Sequence, residues 1–195
     1  MKIPLTLFFL LTVSALADPI SDARSLIAQK LYQPALDTLE KEVARESPKK
    51  EAIELYAQTL WFSKSWEKSI PWLERAAAGS DTEAAKAWLL LKAKALSYLG
   101  RFRESVWQYS TIEKDIDPSD GLLWEHLVVA LAGEEKEEVY IALGKLAAMA
   151  KEENPDAAVR TRVKRQLELY EVMVAKGPAD GSRMAKGVIE SWKKK

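Results

Sequence analysis

The chain contains no cysteine and one histidine, His126, among its 195 residues. The first absence excludes disulfides, thiolate metal centres, a thiol nucleophile and cysteine-linked lipid. The second excludes any multi-histidine metal site. Charge of one sign is also missing: 29 Lys or Arg stand against 29 Asp or Glu. That balance argues against a dedicated nucleic-acid binder, which needs an excess of cations for its phosphate contacts. There is no glycine-rich phosphate loop, no G-x-S-x-G and no H-E-x-x-H. Hydrophobic residues still make up 48% of the chain, enough to bury a core. The sequence therefore reads as a folded, non-enzymatic protein with no cofactor and no metal.

The first seventeen residues look like an address. Lys2 supplies a positive start, Ile3 to Val13 is almost wholly apolar, and Ala15-Leu16-Ala17 precedes Asp18. This is the signal-peptide pattern of charge, short apolar run and A-x-A exit. A retained anchor would need about 20 apolar residues. The expectation is cleavage near Ala17-Asp18 and export to a periplasm or the cell exterior. No later stretch is long and apolar enough to cross a bilayer.

From Ile20 onward the chain repeats. Ala23-x2-Leu26, Ala57-x2-Leu60 and Ala93-x2-Leu96 each place a small residue one turn before a leucine. An aromatic follows six residues later (Tyr32, Trp66, Phe102), then a small residue (Ala35, Ser69, Ser105), then a large one (Leu39, Leu73, Tyr109). The step is 34 residues and then 36, with the two extra residues assigned to the loop around Ala78-Gly79-Ser80. Apolar spacing of three and four predicts two helices per unit. The first helices cover about 20–30, 51–63 and 83–99, and the second about 34–44, 67–77 and 103–114. Ser47-Pro48, Ser80 with Glu83, and Asp117-Pro118 carry helix-start chemistry. Pro71 lies inside a second helix and predicts a late start at Ser69 or a kink. A fourth, degenerate unit spans about 121–132 and 134–150; Val139-x2-Ala142-x3-Leu146 fits it only with a shifted turn.

This pattern of small residue and leucine, turn aromatic, Ala35-x3-Leu39 and the prolines Pro48 and Pro118 resembles the tetratricopeptide repeat (TPR) family. The resemblance departs from the family where serine replaces the second alanine twice and where the usual first-helix Trp and Gly are missing. It implies an all-α fold, a right-handed α-solenoid of TPR-like helix hairpins over residues 18–152. Residues 153–176 then read as a capping helix opened by Asn154-Pro155, with Val159, Val163, Leu167, Tyr170 and Val174 on its apolar face. Residues 177–195 read as a basic tail: a flexible linker from Gly177 to Gly181, then an amphipathic piece. In the family, first helices line an inner surface that holds a peptide or partner helix. By register this puts Glu54, Gln58, Trp61 and Phe62 of the second unit there, with Leu90, Lys94, Ser97 and Tyr98 of the third. Trp61-Phe62 beside Tyr98 would form an aromatic anchor, or would instead pack on the neighbouring units. The family's carboxylate clamp needs asparagine in the groove, and the single Asn154 lies outside it.

The implied role is a protein–protein interaction scaffold or adaptor in the cell envelope. Two alternatives accompany it. From Arg160 to Lys195, ten basic residues face four acidic ones, and Met184, Val188, Ile189 and Trp192 form a stripe able to touch anionic lipid or polymer. The chain could also serve as a helical accessory subunit of an envelope enzyme. His126, without partners in pattern, reads as structural. The Glu134-Glu135-Lys136-Glu137-Glu138 cluster reads as a solvated helix start rather than a metal site.

Overall fold

The computed structural model describes residues 18–114, 119–151 and 153–194. The expected signal segment and the Asp117-Pro118 start lie outside the described residues. All regular structure among the described residues is helical: α1 (Pro19–Ala28), α2 (Tyr32–Val43), α3 (Lys50–Phe62), α4 (Trp66–Ala78), α5 (Thr82–Tyr98), α6 (Phe102–Glu113), α7 (Asp120–Gly133), α8 (Lys136–Met149), α9 (Ala157–Val174) and α10 (Pro178–Lys193). Each helix packs on the next along the whole series.

Four of the connections are one motif. Lys30, Lys64, Gly100 and Glu134 all take the left-handed conformation, with φ of 60°, 59°, 77° and 61°. The amide that follows each of them reaches back five residues: Leu31 to Leu26, Ser65 to Leu60, Arg101 to Leu96 and Glu135 to Ala130, at 2.9–3.0 Å. This bond closes the last helical turn over its orphan carbonyls and sends the chain back antiparallel. The positions recur at steps of 34, 36 and 34. The fourth turn is therefore in plain register, and the shifted turn expected there does not occur.

The two extra residues of the second step are not a loop insertion. Asp81 accepts from the Ala84 amide at 3.0 Å and caps α5, which then runs for 17 residues against 13 in α3. The loop before α5 shrinks while the helix lengthens. Other starts also differ from the sequence expectation. Ser80 donates to the Ala76 carbonyl instead of capping, and α3 begins at Lys50 with no side-chain cap. The cap of α9 is Asp156, whose carboxylate accepts from Ala158 and Val159. Asn154 instead orients that turn, donating to Met149 and accepting from Asp156. Pro71 sits inside an uninterrupted α4, and Ser69 is buried, its hydroxyl donating to Trp66.

The core is strung along this order. Ile20, Ala23, Leu39, Val43 and Ala52 form one cluster, and Ala57, Leu73 and Ala76 another. The largest gathers around α7, where Leu123, Leu127, Val128, Val129 and Ala130 are all buried. α7 is apolar on every side because α6, α8, α9 and α10 all pack on it.

The stretch expected as a flexible linker from Gly177 to Gly181 is a turn followed by the start of a helix. Gly177, at φ 108°, turns the chain, and Pro178 occupies the first helical position of α10. Residues 178–181 are thus helix, and Gly181, Ser182, Ala185 and Ile189 are buried. α10 packs on α7 and α9 and reaches α5. Its stripe faces protein, so Val188, Ile189 and Trp192 are spent on packing and only Met184 remains exposed.

Candidate functional site

The turns carry a row of aromatic side chains, one rung per unit. Phe62, at the end of α3, stacks on Tyr32 of the preceding unit, ring centres 6.0 Å apart. One step along, Tyr98 at the end of α5 lies 4.9 Å from Trp66 in the equivalent relation. The third rung has Phe102, but its partner position is Ala132. α10 closes in there: Ser182 donates to the Ala132 carbonyl at 3.0 Å, and the Lys186 ammonium lies 5.8 Å from the Phe102 ring centre. Gly133 lets Phe102 itself pack close, since a Cβ on it would lie 2.8 Å from the Phe102 Cβ.

α10 then continues along the row. Lys193 brings its ammonium to 6.0 Å from the Trp66 ring centre, and its carbonyl accepts from Lys64 Nζ at 2.7 Å. α10 ends there. Among the described residues the first rung has no such cover: Phe62 is 42% exposed and the adjoining Leu31 45%.

The eight residues expected on the inner surface do not form one patch. Trp61 stacks on Tyr98 at 5.7 Å, whereas Phe62 turns away to Tyr32. Consecutive helical residues point about 100° apart, so the pair serves two neighbours instead of one anchor. Ser97 is a correction: it is buried and donates to the Lys94 carbonyl at 2.8 Å. Lys94 pairs with Glu125 at 2.9 Å, and Leu90 packs against the main core. Glu54 accepts from Ser80 and lies 3.7 Å from Lys50. Gln58 is half-buried on α3. Tyr98 is also half-buried, and burial with the nearby Glu125 pushes its hydroxyl pKa up.

A second constellation centres on His126 of α7, between Glu113 of α6 and Glu138 of α8. His126 is fully buried; its Nδ1 donates to Glu113 at 2.7 Å, and its ring stacks on Tyr109 at 5.7 Å. Its Nε2 lies 3.5 Å from the Glu138 carboxylate without a hydrogen bond. Glu113 also accepts from Lys145 at 2.6 Å, and Glu138 from Ser110 at 2.8 Å. Burial pushes the Glu113 carboxyl up, but the hydrogen bonds from His126 and Lys145 outweigh it and hold it below the ordinary carboxylate value. Above this network an open cleft of about 370 Å³ runs between α6 and α8, with Trp107 and Ile141 on its walls. One sequence signal pointed here. Glu113 occupies a register position that is Val43, Ala77 and Ala147 in the other units.

No group of three or more metal-ligating side chains occurs among the described residues. Glu113, His126 and Glu138 tie α6, α7 and α8 together, and both carboxylates line the cleft. Comparison with family models, with curated proteins and with solved structures finds no match. What the chain can do rests on its own geometry.

Proposed function

We propose that this chain is an exported, non-enzymatic interaction module, a short right-handed solenoid of TPR-like hairpins that holds a segment of another protein against the first-helix side of its turns. The observation that carries this reading is the aromatic row. Its rungs repeat in register, two of them are already covered by an amphipathic helix, and the first stands open among the described residues. A preformed surface of this kind binds with little ordering cost, and exposed aromatics supply the anchor energy of such contacts. Export rests on the charged, apolar and A-x-A pattern of residues 1–17. The scaffold reading is preferred to contact with lipid through the tail because the apolar stripe of α10 is committed to α7 and its neighbours.

Affinity capture from the envelope of the source cell tests this, comparing the wild-type chain with Phe62→Ala. The wild type is expected to retain a partner that the variant loses, with equal thermal stability. Identical captured sets would remove the row as the binding surface.

A further inference from the structure

Three equivalent rungs make up the row, and two are filled from within the chain. Ser182 and Lys186 cover the third and Lys193 covers the second. The first consists of Leu31, Tyr32 and Phe62 and has no cover among the described residues. Three lysines stand at its edge. Lys30 and Lys64 sit at the left-handed turn positions flanking the rung, and the Lys64–Lys193 hydrogen bond brings the C-terminal turn of α10, with Lys194, to its edge. Lys30, Lys64 and Lys194 are exposed and make no ion pair among the described residues. Of the carboxylates nearest in sequence, Glu67 pairs with Arg101 and Glu190 with Lys193, while Asp37 accepts only from the neutral Gln33 amide.

We infer that this rung is the docking site for an acidic amphipathic helix of another protein, seated as a continuation of α10. This rests on the module reading above and names its partner. Three features select the occupant. The exposed faces of Leu31 and Phe62 accept an apolar side chain, and the lysine rim selects Glu or Asp around it. α10 shows that a helix is the form of chain this row takes. A basic or extended segment lacks either the charge or the shape.

The test uses the full chain and a labelled alanine-based helical peptide carrying leucines at i, i+3 and i+7 with flanking glutamates. A second peptide replaces every glutamate by lysine. Anisotropy titrations are expected to show saturable binding of the acidic peptide, weakened by salt, and about tenfold or more weaker binding of the lysine peptide. Lys30→Glu with Lys64→Glu should cost a similar factor. Leu31→Ser, which leaves the Lys64–Lys193 contact in place, should weaken binding without changing the melting temperature. No saturable binding, equal affinity for the two peptides, or indifference to both variants would overturn the proposal. If the acidic peptide fails while Phe62→Ala still abolishes capture of the native partner, the acidic helix is wrong and the module reading stands. If Phe62→Ala changes neither, both fall.

Discussion

Glu113 and His126 meet at 2.7 Å between α6 and α7, and neither side chain is open to solvent. Removing one member of such a pair leaves the other buried without its partner, which typically costs about 3–5 kcal/mol. Glu113→Ala is therefore expected to lose stability on that scale, with Glu113→Gln losing less because the amide oxygen can still accept from Nδ1. Urea unfolding measures both. An unchanged midpoint in Glu113→Ala would show that the pair does not join the two helices.

The same pair sets a response to acid. The folded-state pKa of Glu113 lies below the ordinary value of 4.5, and that of Asp120 below 3.8, where the hydrogen bond from Arg162 is the main cause. A depressed carboxylate stabilises the fold fully above its unfolded value and loses that contribution as pH falls through the folded one. Unfolding free energy should hold steady down to about pH 5 and then drop as both carboxyls take up protons. Glu113→Gln should start lower and show a shallower drop. Parallel curves for wild type and variant would refute the assignment.

Two glycines in helices should respond to alanine with opposite sign. At Gly133 the added methyl would meet Phe102 at 2.8 Å, beside the backbone on which Ser182 docks. Overpacking of this kind costs about 1–3 kcal/mol. At Gly144, within α8, nothing lies within 4 Å, and alanine should add about 0.5–1 kcal/mol through helix propensity. Thermal unfolding of the two variants separates the cases; destabilisation by Gly144→Ala would mean that α8 is not packed as described.

Particular residues explain what the sequence could disclose. The first three helix pairs were legible because a small residue, a leucine and a turn aromatic recur, and the structure adds the left-handed residue that makes each turn. The fourth pair was blurred because Leu127 and Ala130 exchange the large and small positions, and Lys136 stands where the aromatic would be. The expected inner-surface set mixed residues of different fates, since register alone does not say which neighbour a side chain meets. Trp61 and Phe62 part company for that reason. The place of α10 was hidden more deeply. An apolar stripe with a basic flank has the same pattern whether it faces lipid or protein. The small pair Ala132-Gly133, where the second and third units carry Phe62-Ser63 and Tyr98-Leu99, was the one sign that another element must close in.

That placement makes α10 a structural member of the fold. Ile189 is 1% exposed within the same cluster as Leu127 and Leu131, and Ala185 beside it is fully buried. Truncating a buried isoleucine to alanine removes three carbons and leaves a cavity that the surroundings only partly close, at a cost of about 2–5 kcal/mol. Because the cluster also contains Val106, Val139 and Val163, the loss should be felt through α6, α7, α8 and α9 together. Hydrogen exchange on Ile189→Ala is expected to show faster opening of α7 amides in step with those of α10. Met184→Ala offers the control, since Met184 is 40% exposed and its loss should leave α7 protection near the wild-type level. If Ile189→Ala instead releases α10 alone and α7 exchanges as before, the helix is an appendage on a finished core. The first-helix side would then be open over all three rungs, and the lysines that α10 carries to the rim of the first would no longer be held there.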